Sequence, residues 1–267
     1  MDAVTRTLII GQGYVGLPLS MAAVAADHQV TGIDLDIHRS QLIAMGISPT
    51  EDVTSESISA ALNSGAYRIR SSYEGAPSFD YAVIAVPTPL NNGAPDMTFI
   101  ELAGKSIAGL ITRGCTVILE STTYPGTTEE VLLPILEQGS GLTAGVDFFL
   151  GYSPERIDPG NKQWTLINTP KIVSGNNPAS LNHVSNFYQA LGIQVIPVSG
   201  TREAEMTKLL ENTFRHVNIA LVNELAVFSH ALGVDMREAI DAASTKPFGF
   251  MKFSPGPGVG GHCLPID

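Results

Sequence analysis

Short runs of aliphatic and β-branched residues alternate along this chain with longer stretches whose apolar positions recur every three or four residues. The apolar runs at 8–10, 30–34, 81–86, 116–120, 148–152, 171–174 and 194–198 predict strands. Between them, residues 15–26, 100–111, 128–137 and 179–190 carry the spacing of amphipathic helices. Strands alternating with helices predict a parallel sheet covered by helices on both faces. The texture changes near Gly200. From 201 to 232 the chain has no Gly or Pro, and Met206, Leu209, Leu210, Thr213, Val217, Ala220, Leu221 and Leu225 follow a helical period. Gly233 stops this helix. A shorter helix is expected over 236–243, and a loop rich in Pro and Gly closes the chain over 253–267. The expected fold is α/β. A Rossmann-like, doubly wound parallel sheet occupies 1–200, and a long-helix, all-α central domain occupies 201–267.

Composition narrows the classes. The 267 residues suffice for one large domain and part of another. The net charge of -11 comes with no basic stripe, which argues against a nucleic-acid partner. An anionic ligand is still allowed, because N–H groups at a helix start bind phosphate without net positive charge. Two cysteines, Cys115 and Cys263, are too few for a disulfide scaffold or a structural zinc site, so no metal is expected. No run of eighteen apolar residues offers a membrane span, and the first ten residues enter a strand without a leader pattern. The expectation is a soluble, cytoplasmic protein.

Gly11-Gln12-Gly13-Tyr14-Val15-Gly16 follows the first strand and opens the first helix. Gly11 permits a tight turn, Gly13 lets backbone approach a pyrophosphate, and Gly16 lets helix pack on strand. Gly11, Gly13, Tyr14, Val15 and Gly16 are thus candidate dinucleotide-binding residues. A GxGxxG motif alone is weak, and a glycine-rich turn without ligand is the bland alternative. The next strand, however, ends at Asp34, where an acid accepts the ribose hydroxyls of NAD and repels the 2′-phosphate of NADP. Arg39, a little downstream, could instead meet a phosphate. NAD is the expected cofactor.

Four further segments carry chemistry. In Gly260-Gly261-His262-Cys263-Leu264-Pro265-Ile266-Asp267, glycines give a thiol room to attack a carbonyl carbon. Cys115 opens an apolar strand and reads as a small core residue. Lys208 and Asn212 lie four apart on the long helix, so both project from one face, and their donors suit a developing oxyanion. A solvated lysine is the alternative there. Glu155 in Tyr152-Ser153-Pro154-Glu155-Arg156 follows a strand, where parallel sheets bind ligands. It is either a general base or water holder, or an ordinary loop acid paired with Arg156. Glu120-Ser121-Thr122-Thr123-Tyr124-Pro125-Gly126-Thr127 and Pro87-Thr88-Pro89 are similar strand-end loops, with Thr122, Pro87 and Thr88 as candidate contacts. Turn chemistry explains the prolines equally well.

In this order the segments resemble the UDP-glucose/GDP-mannose dehydrogenase family over the whole chain, most specifically in the Lys208/Asn212 helix and in residues 255–267. The resemblance implies a nucleotide-sugar 6-dehydrogenase that oxidises a CH2OH to a carboxylate with two NAD. It implies that Cys263 is the nucleophile, that Lys208 and Asn212 stabilise oxyanions, and that Asp267 assists water or proton handling. Glu155 and Thr122 would position the hydrolytic water or the reacting group. Glu155, Arg156, Lys208, Asn212, Arg215 and Gly260 would meet the substrate. Residues 155–161 and 209–215 look most like the branch acting on UDP-N-acetylhexosamines, UDP-N-acetylglucosamine or UDP-N-acetylmannosamine. The resemblance also implies a homodimer through the 201–232 helix and a C-terminal nucleotide-binding domain beyond Asp267, so the chain is expected to be part of a longer protein. Alternatives stay open: a UDP-glucose or GDP-mannose 6-dehydrogenase, a two-electron β-hydroxyacid-type dehydrogenase needing no cysteine, or a non-catalytic NAD-binding and dimerisation module.

Overall fold

A computed structural model describes residues 4–91, 93–157, 161 and 163–258. The elements run β1 (Arg6–Ile10), α1 (Gly16–Ala25), β2 (Gln29–Ile33), α2 (Ile37–Ala44), α3 (Ser55–Asn63), β3 (Tyr67–Arg70), β4 (Tyr81–Ile84), β5 (Leu90–Asn91), β6 (Ala94–Pro95), α4 (Thr98–Ala108) and β7 (Thr116–Leu119). A wide π-type turn, Thr127–Leu132, leads into α5 (Leu133–Ser140). Then follow β8 (Phe149–Tyr152), β9 (Lys171–Gly175), α6 (Pro178–Ala190), β10 (Val195–Pro197), α7 (Thr201–Ala231) and α8 (Met236–Ser244).

Eight strands form one sheet in the order β10-β9-β8-β7-β4-β1-β2-β3. The strand order reverses beside β1, which opens a crevice at the carboxyl ends of β1 and β4. Alternation along each strand feeds two cores. Leu8, Ile10, Val117 and Leu119 pack under α4 and α5. Ile9, Ile118 and Val173 pack under α1, α3 and α6. The expected doubly wound α/β sheet is therefore present, with two differences from the sequence reading. Strand β3 and helices α2 and α3 complete the edge beyond β2, where no element was expected. The sheet is also not wholly parallel: β9 runs antiparallel to β8, pairing Gly151 with Gly175 and Tyr152 with Ser174. No helix appears among the described residues between β8 and β9, and a reversal of direction needs no crossover.

The chain divides into two compact units, Met1–Lys208 and Leu209–Asp267. In the second, Asp235 caps α8 by accepting from the N–H groups of Arg237 and Glu238. Phe214 meets Phe253 edge to face at 5.9 Å, and the Gly256 N–H donates to Asn223 Oδ1 at 2.9 Å. Among the described residues no helix is long and apolar enough to cross a membrane.

Candidate active site

The glycine loop is built from both sides. Gly11 has φ +88° and donates its N–H to Ile33 O at 2.8 Å. A Cβ there would stand 2.3 Å from Ala85 O, and one on Gly16 would stand 1.8 Å from Gly11 O. These two positions must be glycine for the loop to close on the sheet. At Gly13 a Cβ would meet nothing within 4 Å. Tyr14 is exposed and Val15, at the start of α1, is half-buried. No side chain caps that helix start and its first turn holds no acid, so its positive dipole end favours an anion.

Buried Gln12 locks the loop. Its Nε2 donates to Ile9 O and Gly11 O, while Oε1 accepts from Tyr67 Oη and Ser20 Oγ. Its backbone N–H donates to Asp34 Oδ2 at 2.8 Å. Asp34 follows β2, is 6% exposed, and takes the Arg39 guanidinium at 2.9 Å and the Asp36 N–H at 2.9 Å. Arg39 also reaches Asp36 at 3.6 Å. Arg39 is thus tied to two carboxylates. Open space over Gly13, an uncapped helix start and an acid after β2 together fit a dinucleotide carrying an unphosphorylated ribose.

The loops after β4, β7 and β8 lie at the same strand ends. Pro87 is exposed and Thr88 half-buried; Ser121 Oγ donates to Val86 O at 2.8 Å and ties this loop to the next. Thr122 is half-buried, whereas the Thr123 hydroxyl is buried without a hydrogen-bond partner. Glu155 is not paired with the Arg156 guanidinium, which donates to Pro170 O. Its partner is buried Lys171, at 2.8 Å, and Lys171 also meets Glu120 at 3.0 Å. Glu155 Oε1 accepts the N–H groups of Arg156 and Ile157, both at 2.7 Å.

On α7, Lys208 is half-buried and Asn212 is 5% exposed. Arg215 is exposed and donates from Nη2 to Asn212 Oδ1 at 2.9 Å. One turn before Lys208, buried Glu205 accepts from Gly126 N, Thr128 N and Thr128 Oγ1 at 2.6, 2.9 and 2.7 Å. Burial pushes the Glu205 carboxyl up, against these hydrogen bonds. Glu205 therefore fastens the loop that carries Thr122 to the helix that carries Lys208.

Gly260, Cys263 and Asp267 lie outside the described residues. Cys115 is buried, and burial pushes its thiol up to about 11, which leaves it an inert core residue. Among the described residues no group of three His, Cys, Asp or Glu side chains could hold a metal. Sequence reading missed Lys171, Glu120, Tyr188 and Glu205. The one available signal was a charge set beside an apolar run, as in Lys171-Ile172-Val173.

Two family models match the chain in order. The first, described as the NAD binding domain of the UDP-glucose/GDP-mannose dehydrogenase family, covers residues 5–192. The second, the central domain of the same family, covers residues 202–267. Protein CapL of Staphylococcus aureus is 39% identical over 97% of this chain and 60% of its own length. A UDP-N-acetyl-D-glucosamine 6-dehydrogenase of Salmonella typhi is 39% identical over 98% of this chain and 61% of its own. The solved structure of a UDP-D-ManNAc dehydrogenase from Pyrococcus horikoshii superposes with a TM-score of 0.92 at 35% identity, covering 98% of this chain and 62% of that one. The chain spans about three fifths of the length of the curated relatives it matches.

Proposed function

The chain belongs to the UDP-glucose/GDP-mannose dehydrogenase family, and from that premise we propose that it works in NAD-dependent oxidation of a nucleotide sugar, a UDP-N-acetylhexosamine, to the uronic acid. The observation that carries the NAD half is the Gly11–Gly16 loop, hydrogen-bonded through the Gln12 N–H to the buried Asp34 carboxylate. The sugar half is supported by the similarity to the UDP-N-acetyl-D-glucosamine 6-dehydrogenase of Salmonella typhi. We further propose a boundary at residue 200/201 between a dinucleotide-binding domain and a central domain.

Two NAD+, bound in succession, would each accept one of the two hydrides released when a primary alcohol becomes a carboxylate. The rest falls to the chain. Gly11, Gly13, Tyr14, Val15 and Gly16 hold the pyrophosphate, and Asp34 accepts the ribose hydroxyls while Arg39 stays engaged by Asp34 and Asp36. Pro87, Thr88 and Thr122 border the nicotinamide end. Lys208 and Asn212 donate to the substrate oxygen as negative charge develops on it. Cys263 adds its sulfur to the aldehyde carbon; after the second oxidation the sugar is held as a thioester. Water then cleaves the C–S bond, the acid leaves, and the sulfur regains a proton. Glu155 and Thr122 position that water and Asp267 takes part in its proton transfer. Arg156, Arg215 and Gly260 contact the sugar nucleotide.

The test uses the full-length protein with a panel of nucleotide sugars, scoring NADH formed per sugar consumed. Wild type is expected to yield two NADH per UDP-N-acetylhexosamine. Cys263→Ser is expected to yield at most one slow equivalent, because a hydroxyl is a far weaker nucleophile at neutral pH. Near-normal acid formation by Cys263→Ser would sink the covalent route.

A further inference from the structure

Lys171 has no role in the proposed reaction, yet it is a charged side chain enclosed at the strand-end crevice, at 3% exposure. It arrives there because β9 runs antiparallel to β8. Tyr152 opposes Ser174, and continuing that register three residues further sets Glu155 opposite Lys171. Opposed residues of an antiparallel pair project to the same face. A parallel β9 would have placed its first residue at the far end of the sheet. The pairing is reinforced where Ser153 Oγ donates to Ile172 O at 2.7 Å.

Three more groups face this pair. Glu120, directly after β7, accepts from Lys171 at 3.0 Å on Oε1. Tyr188, on α6, donates to the same oxygen, and its ring lies 5.2 Å from the ammonium. Glu120 Oε2 is buried and makes no hydrogen bond. Arg156 has its N–H on Glu155 and its guanidinium on Pro170 O.

Two enclosed carboxylates beside one ammonium cannot both ionise cheaply. Their partners decide which does. Glu155 has the ammonium on one oxygen and two backbone N–H groups on the other; Glu120 shares the ammonium and has a phenol. Burial pushes Glu120 up beyond what Lys171 can recover. Burial acts on Glu155 too, but the Lys171 ammonium and the N–H bonds outweigh it and hold the carboxyl below its usual range. Burial disfavours the Lys171 charge, yet the two carboxylates keep it above the ordinary amine value. Of the two carboxyls, Glu155 is the one its partners favour as the anion.

We propose that Lys171 is the positioning residue for Glu155: with the N–H groups of Arg156 and Ile157 it holds the Glu155 carboxylate as a fixed anion at the crevice, backed by Glu120 and Tyr188. This rests on the reading that Glu155 takes part in the oxidation. It also refines that part. Glu155, 13% exposed, orients a water or hydroxyl by accepting its hydrogen bond and does not shuttle protons by titrating near neutrality.

Two measurements decide it. The first follows glutamate side-chain carboxyl carbons of this chain by 13C NMR against pH, with Glu155 identified by Glu155→Gln. In wild type the Glu155 midpoint is expected below the ordinary carboxylate value; in Lys171→Met it rises above it, and an unmoved midpoint overturns the proposal. Should Lys171→Met not fold, Lys171→Met/Glu155→Gln is expected to fold, because no unpaired anion is left enclosed; a double variant that stays unfolded counts equally against it. The second measures pH–rate profiles in the full-length protein. Lys171→Met is expected to lower kcat about 100-fold, the scale of a small misplacement of a reacting group, with KM little changed and the acidic limb moved up. Lys171→Arg should recover most of the rate. In the Glu155→Gln background Lys171→Met should cost nothing further, and an equal loss there would mean that Lys171 acts by structure alone. A wild type that oxidises no nucleotide sugar would overturn the functional reading, and the NMR titration would still decide the pair.

Discussion

The three glycines of the fingerprint do different jobs, and the difference is measurable one residue at a time. Gly11 and Gly16 are required by the fold, since a Cβ on either would press into backbone carbonyls at 2.3 and 1.8 Å. Gly13 has open space around it, so the fold does not ask for glycine there. Only an approaching ligand does. Gly13→Val is therefore expected to melt like wild type, within the roughly 0.5 kcal/mol usual for a surface change, while losing most of its affinity for NAD+ in calorimetric titration. Gly16→Val is expected to lower the melting temperature as well. Unaltered NAD+ affinity in Gly13→Val would mean that the pyrophosphate does not lie over this residue. At Asp34 the sequence showed an acid after β2, but not that Arg39 would be drawn onto it and so withheld from a second phosphate.

At the scale of elements, what could be read was what repeats. Strands β1, β4, β7 and β8 and helices α1, α4, α6 and α7 carry long apolar periods, and their expected bounds differ from the observed ones by a few residues at most. What escaped carries little apolar signal. Helix α2 buries only Ser40 and Ile43, α3 only Ile58 and Ala61, and β3 is an edge strand reading Tyr-Arg-Ile-Arg with Tyr67 alone buried. The direction of β9 was invisible for another reason: strand composition does not encode direction, and the pairing of Lys171 with Glu155 depends on it. The π-type turn Thr127–Leu132 also looked like plain helix. Its start is held by Glu205 through the N–H groups of Gly126 and Thr128. Glu205→Ala would leave both donors buried without an acceptor, a loss of roughly 2 kcal/mol or more. Urea unfolding of this chain is expected to show that loss. A variant as stable as wild type would mean that the turn closes without Glu205, and that Thr122 and Lys208 are not coupled through it.

For the whole molecule, the unexplained feature is the outer face of α7. Met206, Leu210, Phe214, Val217, Leu221, Leu225 and Phe228 are all at least 40% exposed. They recur every three or four residues, so on a helix they hold to one side. At 1.5 Å per residue the stripe is about 33 Å long. Apolar patches of that extent are rare on a monomer and mark an interface. A second copy of the chain satisfies the geometry simply, because two stripes related by a twofold axis bury each other along their full length. The family resemblance gives the same helix that role. The chain is therefore expected to sediment as a dimer at micromolar concentration. Val217→Glu/Leu221→Glu, which sets two charges into the middle of the stripe, is expected to yield monomers. NAD+ affinity should be unchanged in that variant, since the glycine loop and Asp34 belong to the other compact unit. A wild-type chain that stays monomeric at those concentrations would show that α7 does not pair with its own copy, and a double variant that remains dimeric would place the interface elsewhere on the surface.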